Sequence, residues 1–369
     1  MPAHFPYLLD PTIYPDYHRR SVRVPTWETF GNRPQFSSLR DLSQPTWRED
    51  LIRYTEEFKL GRVLWPHINL FKVPHLKEVI EEIRHRDLFL FDLWGHVPGA
   101  PAGGPWTHVT PPSGLIASLQ QELGDRFLGV DNGEQDGRYV GTTGQQQCPS
   151  PLQHRQQYRM FQRHFQKLCG ELGNQMSALV SLCFGHYFLK EGNHFLLGAE
   201  TAQSLPNSQL YYAFIRGACR QYGVLWFGAV SCFNAWGWKD YGPQQSDGWH
   251  VSGPDQGASL NLHKRLIYTH YLYNCAIMGF EMNWLMLDEM AAPDRNGVPR
   301  FKLTPMGIVH RGVSDFVDQH GPPGVMHAPV ALLLDFYAGW APPRHMYSGN
   351  VYQVWGGMPY QPGDCCFSL

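Results

Sequence analysis

Three glutamates stand where an acid–base pair could be assembled. Glu134 follows an apolar run in GVDNGEQDGRY, Glu200 closes LLGAET, and Glu281 interrupts GFEMNW. Breaking a glycosidic bond calls for two carboxyl groups flanking one bond. One protonates the leaving oxygen, and the other attacks the anomeric carbon or activates water. Unlike surroundings keep one protonated and the other ionised. Glu134, in a Gly-containing turn beside Asp131, Asn132 and Asp136, is the best candidate acid/base; its plainer reading is a solvated loop acid. Glu200 and Glu281 compete as its partner, and spacing does not choose between them. The third glutamate would accept hydrogen bonds from sugar hydroxyls.

Other polar residues fall at the ends of apolar runs. The second run carries His67 and Asn69, the third Asp92 and His96, the fourth Asp131 and Asn132, the fifth His186 and the eighth Asn283. Taken singly, each reads as a capping or ion-paired residue. As a set on one rim they favour a site, because burying each costs desolvation energy. Trp236, Trp238 and Trp284 could stack on sugar rings. The plainer reading of the loop from Ser231 to Gly257 is a cap folded on its own aromatics.

Composition narrows the classes. The chain is 43% hydrophobic and 17% charged, which fits a folded protein with a large core. A formal net charge of −2 supplies no basic field for nucleic acid. No apolar run is long enough to span a bilayer. Met1 to Arg20 lacks the apolar core of a signal peptide, which points to a cytoplasmic protein or a fragment of a secreted or lysosomal one. No cysteine pair has CxxC spacing, so zinc-ribbon chemistry is not expected. No cofactor is expected. Cys183, Cys219, Cys232 and Cys275 lie in apolar stretches and read as reduced core residues. The partner these residues suggest is an oligosaccharide or polysaccharide, with homo-oligomerisation left open.

Short apolar runs alternate with amphipathic stretches, the βα pattern. Strands are predicted over Val22–Phe30, Arg62–Leu70, Leu88–Trp94, Arg126–Asp131, Ala178–Phe184, Phe195–Ala199, Val224–Val230 and Ile277–Trp284. Helices are predicted over Thr46–Lys59, Pro74–Arg86, Pro151–Leu172, Ser208–Tyr222, Ala258–Cys275 and Thr304–His320, with a shorter one before Gly124. Only Gly185–His194 links strands five and six, too short for a full helix. The predicted class is α/β: a (β/α)₈ TIM barrel followed by the truncated start of a second α/β domain. The boundaries are an N-terminal extension over 1–21, the barrel over 22–324, and over 325–369 either that domain start or a barrel-packing tail. The apolar PVALLLDF at Pro329–Phe336 would be its first strand. A doubly wound sheet is disfavoured by the absence of GxGxxG and P-loop motifs.

GVDNGEQDGRY, LLGAETAQSLPNSQLYYAFIRGACRQYG, GPDQGASLNLHKRLIYTHYLY and PVALLLDFYAGWAPPR resemble segments of barrel glycoside hydrolases. The similarity is to the β-galactosidase-like group, in which a glutamine-amidotransferase-like domain follows the barrel, and it spans roughly Thr26 to Gly363. It implies a retaining hydrolase with its acid/base on strand four, which Glu134 fits. Two departures stand out. Gly133 separates Asn132 from Glu134, where that group places Asn directly before the acid/base. The implied nucleophile belongs to strand seven, which here runs into Ser231. Either the strand count is off by one and Glu281 is the nucleophile, or Glu200 serves in a different arrangement. Two further readings are a catalytically decayed, carbohydrate-binding barrel and a metal-dependent barrel hydrolase built on His67, His96 and His186.

Overall fold

The computed structural model describes residues 24–40, 42–66, 73–93, 112–131, 154–178, 185–190, 194–201, 208–230, 245–246, 251–252, 260–280, 286–329 and 336. Eight strands close into an all-parallel barrel: β1 (Gln35–Arg40), β2 (Val63–Pro66), β3 (Phe89–Leu93), β4 (Phe127–Asp131), β5 (Met176–Ala178), β6 (His194–Thr201), β7 (Leu225–Val230) and β10 (Ile277–Phe280). The order round the ring is the chain order, and β10 closes on β1 through Gln35 opposite Ile277. The two-residue strands β8 (Gln245–Ser246) and β9 (Val251–Ser252) pair outside the barrel, as do β11 (Leu287–Glu289) and β12 (Phe301–Leu303).

Helices occupy most of the crossovers: α1 (Trp47–Ile52), α2 (Leu76–His85), α3 (Leu115–Leu123), α4 (His154–Glu171), α5 (Gly185–Lys190), α6 (Ser208–Tyr222), α7 (Leu260–Leu272) and α8 (Pro305–His320). Their faces follow from apolar spacing. Val79, Ile80 and Ile83 of α2 are buried, as are Val313 and Val317 of α8. Helix α8 starts sharply because the Thr304 hydroxyl accepts the Gly307 N–H at 3.0 Å and Pro305 occupies the first turn. The short link between β5 and β6 holds a helix of 6 residues, α5.

The core has two compartments. Inside the ring, Phe91 packs edge-on against Phe195 and Phe227, and Trp65 lies against Phe91. Outside it, the buried helix faces meet the outward side chains of the strands. Cys219 and Cys275 are buried there, as expected; Cys183 and Cys232 lie outside the described residues.

Two strands differ from the sequence-based expectation. The first is not Val22–Phe30. Trp27 to Asn32 forms successive turns, with Phe30 N–H and Asn32 N–H both donating to Trp27 O and with positive φ at Gly31 and Asn32. The barrel strand begins only after Pro34. The fifth strand starts at Met176, earlier than Ala178, because Gly173 (φ +62°) and Asn174 (φ +58°) end α4 and return the chain at once to the barrel. Residues 179–184 lie outside the described set.

Beyond α8, Met326 O accepts from Arg216 of α6 at 3.4 Å. Further on, Phe336 packs on Tyr158, His186 and Tyr187 at ring separations of 5.2, 5.2 and 5.3 Å. Lys190 Nζ sits 4.7 Å from the centre of the Phe336 ring. The segment after the barrel is thus held on the outside of α4 to α6 at these points. Phe336→Ala should lower stability by about 1–3 kcal/mol, less than for a fully enclosed ring because Phe336 is half-buried. An unchanged urea midpoint would show that this contact holds nothing.

Candidate functional site

The register shows which strand ends share a level. Glu200 pairs with Ala229 and Thr201 with Val230, while Gly279 pairs with Ala229 and Phe280 with Val230. On the other side, Leu93 pairs with Asp131 and Asp131 with Ser177. The chain leaves β4, β6 and β10 at one rim, the C-terminal rim where barrels of this kind carry their chemistry. In the closed order, β4 and β10 are opposite each other, and β6 stands midway between them. Glu281 is the residue after β10, and β10 is the eighth barrel strand, hydrogen-bonded to both the seventh and the first. The count is therefore not off by one.

Asp131 ends β4 and is fully buried. Trp65 Nε1 donates to its Oδ2 at 3.1 Å. Strands β2 and β4 are separated by β3, so this hydrogen bond runs through the barrel interior. Trp65 is set by its ring contacts with Phe91 and Phe227, at 6.4 Å each. Ser177, opposite Asp131 in register, is also fully buried, and its Oγ has no hydrogen-bond partner. The interior layer below the rim thus carries a carboxylate, an indole N–H and a hydroxyl.

Of the residues singled out from sequence, Asp131 is placed in this interior. Asp92 and Glu200 are placed by strand position, in β3 and β6. His67, Asn69, His96, Asn132, Glu134, Trp236, Trp238, Glu281, Asn283 and Trp284 lie outside the described residues. His186 sits in the first turn of α5, with Nε2 2.7 Å from the carbonyl oxygen of Phe336 and its ring against Tyr187 at 4.3 Å. Trp65 and Ser177 were not singled out from sequence. A polar Ser177 beside Met176 in a strand-like run is a faint signal, and it lay just outside the predicted fifth strand.

Glu28 belongs to the other end of the barrel. With Arg33, Arg62, Asp87, Asp125 and Arg126 it lines a depression of about 580 Å³ among the N-terminal strand ends. Burial pushes the Asp87 carboxyl up, but its bonds to Arg126 and Arg62 outweigh this and hold it below the usual carboxylate range. Charges here neutralise one another, which suits a face that serves stability.

A separate buried cluster lies between barrel and helices. His263 and His270 of α7 and His310 of α8 are at most 1% exposed. The His270 ring covers Gly228 of β7, where any side chain would collide with it, and packs on Tyr212 at 4.6 Å. Neither His270 nitrogen has a hydrogen-bond partner. Burial holds its pKa down to about 3. His310 is held down to about 4 by burial, against the opposing pull of its bond to Leu60 O at 3.0 Å. Burial, with the nearby His310 and His270, keeps His263 well below the ordinary histidine value.

Among the described residues, no three His, Cys, Asp or Glu side chains gather in a way that could hold a metal ion. No described helix is long and apolar enough to cross a membrane.

No protein-family model matches the chain, and no curated protein matches it. Solved structures similar to it include the catalytic module of a family 98 glycoside hydrolase from Streptococcus pneumoniae TIGR4 in complex with the H-disaccharide blood group antigen. That likeness has 12% identity and a TM-score of 0.45, covering 83% of this chain and 54% of the other. Another is the endo-β-1,4-mannanase from Thermotoga petrophila, at 6% identity and a TM-score of 0.40, covering 79% of this chain and 77% of the other. The chain spans about half the length of the first of these. Likenesses this distant, with TM-scores under 0.5, do not bear on chemistry.

Proposed function

We propose that this barrel is a glycoside hydrolase acting on an oligosaccharide or polysaccharide. The observation that carries the reading is the fully buried Asp131 carboxylate, held by Trp65 inside the ring at the rim where β4, β6 and β10 end together. A barrel interior that keeps an ionisable group dry at that level bears a desolvation cost that packing alone does not require.

Glu134 would serve as acid/base, three residues beyond Asp131 and the end of β4. Its partner would be Glu281, because β10 faces β4 across the ring and two carboxyl groups must approach one bond from different sides. Glu200, on the strand midway between them, would accept hydrogen bonds from ring hydroxyls, aided by His67, Asp92 and Asn283. Trp236, Trp238 and Trp284 would stack on sugar faces. His186 is left out of this set because Phe336 O takes its Nε2. The strand-seven nucleophile implied by the β-galactosidase-like resemblance has no glutamate here: Val230 ends β7 and Ser231 follows. The reading therefore commits to hydrolysis and not to that group.

The test is release of nitrophenol and reducing sugar from a panel of aryl glycosides and oligosaccharides, with and without chelator. Chelator-insensitive hydrolysis is expected. Binding without turnover would make the barrel a decayed carbohydrate binder. Activity lost to the chelator would indicate metal chemistry.

A further inference from the structure

We propose that the outward face of α4 is an extended binding surface for an acidic polysaccharide, whose anionic groups pair with Arg159, Arg163 and Lys167 as the chain leaves the barrel mouth. The inference rests on the glycoside hydrolase reading and adds to it the charge of the substrate.

The sequence of α4, HRQQYRMFQRHFQKLCGE, sets its cations at a regular step. Arg159, Arg163 and Lys167 stand four residues apart, so they share one face, with a rise of about 6 Å from each to the next. Tyr158, Phe165 and Cys169 are buried on the barrel side of the helix, which turns the cations outward, and all three cations are exposed. Glu171, the one acid of the helix, is its last residue and is half-buried.

None of the three cations makes an ion pair or a hydrogen bond among the described residues. Arginines elsewhere on the surface are paired: Arg33 with Asp318, Arg48 with Glu78, Arg62 with Asp87 and Arg311 with Asp315. Like charges one turn apart repel and weaken a helix. The stripe therefore opposes folding slightly, and a bound anion relieves it.

Position links the stripe to the mouth of the barrel. Helix α4 follows β4, whose end at Asp131 is on the rim, and leads back to Met176, where β5 begins. Arg159 is in the second turn, at the rim end, and Lys167 is farther down the flank. A line of single charges, one per turn, suits a linear polyanion better than a flat membrane. A net charge of −2 over the whole chain supplies no long-range field for nucleic acid. The planar arginine fork bonds two oxygens of one carboxylate at once, and a sulfate ester offers oxygens of the same kind. Exposed Gln166, beside Lys167, can both donate to and accept from sugar hydroxyls.

The test compares wild type with Arg159→Glu/Arg163→Glu/Lys167→Glu. A control of equal charge, Arg84→Glu/Arg265→Glu/Arg300→Glu, reverses three exposed arginines on other elements. The probes are polygalacturonate for carboxylate, dextran sulfate for sulfate and dextran as the neutral polymer, by affinity electrophoresis and calorimetry. Wild type should bind at least one acidic polymer and not dextran, and added salt should weaken the binding. The α4 variant should lose affinity about tenfold or more, and the control less than about twofold. Equal losses in the two variants overturn the proposal, as does failure of wild type to bind either acidic polymer. Binding of duplex DNA or phosphatidylserine vesicles as tight as that of the polysaccharides overturns it too. Small aryl glycosides are too short to reach from the mouth to α4, so their turnover should be the same in all three proteins. That turnover reads the hydrolase activity separately: if wild type cleaves none of them, the hydrolase reading falls and the statement about its substrate falls with it.

Discussion

Lowering the pH from 7 to 5 is expected to cost this fold several kcal/mol through three histidines. His263, His270 and His310 are kept neutral by burial, with pKa values depressed to about 3 for His270 and about 4 for His310. In the unfolded chain each would titrate at about 6.5. Above that value both states are neutral and this stability is fully present. As the pH falls below it, the unfolded chain takes up protons that the folded chain refuses, so stability is lost progressively down to the folded pKa values. Each histidine then contributes a slope approaching about 1.4 kcal/mol per pH unit, and the three together about 4. Between pH 6.5 and 5 that amounts to about 6 kcal/mol, a large share of a typical total of about 5–15 kcal/mol, so the urea midpoint should fall steeply over this range. Urea midpoints at pH 7.5, 6.5 and 5.5 give the slope. His270→Phe, which keeps a flat ring over Gly228, should remove about one proton's worth of it. A slope unchanged by that substitution would show that His270 does not carry the effect.

Glu134→Gln should lower turnover of glycosides with poor leaving groups by about 10²–10⁴-fold. Glycosides with good leaving groups should lose far less, because a nitrophenolate departs without a proton while a sugar alkoxide does not. KM should move little, since glutamine keeps the shape and some of the hydrogen bonding. Rates for wild type and variant, plotted against leaving-group pKa, check this. Two parallel lines would deny Glu134 the role of acid and leave it a binding residue.

The barrel was legible because its helices advertise themselves. The spacing of Val79, Ile80 and Ile83 specifies the buried face of α2, and α6 runs over Ser208–Tyr222 as predicted. Strands with weak edges were not. Val22–Phe30 has the apolar content of a strand, but Gly31 and Asn32 adopt positive φ and fold Trp27–Asn32 into turns, which carries Glu28 to the opposite face of the barrel. That Asp131 ends the fourth strand could be read from sequence, because the apolar run stops there. Its bond to Trp65 could not, since it joins strands two positions apart through the interior, and sequence carries no register. The place of Ser177 opposite Asp131 is likewise a matter of register.

The most direct test of the central claim is a crystal structure of Glu134→Gln with an oligosaccharide bound. The account predicts the scissile oxygen within hydrogen-bonding reach of residue 134. It also predicts the Glu281 carboxyl on the far side of the anomeric carbon, about 5–9.5 Å from the residue 134 side-chain terminus, the shorter end of that range for retention and the longer for inversion. A sugar bound away from the rim of β4 and β10, or residue 134 directed out of a cavity that Glu281 and Glu200 do not share, would contradict it.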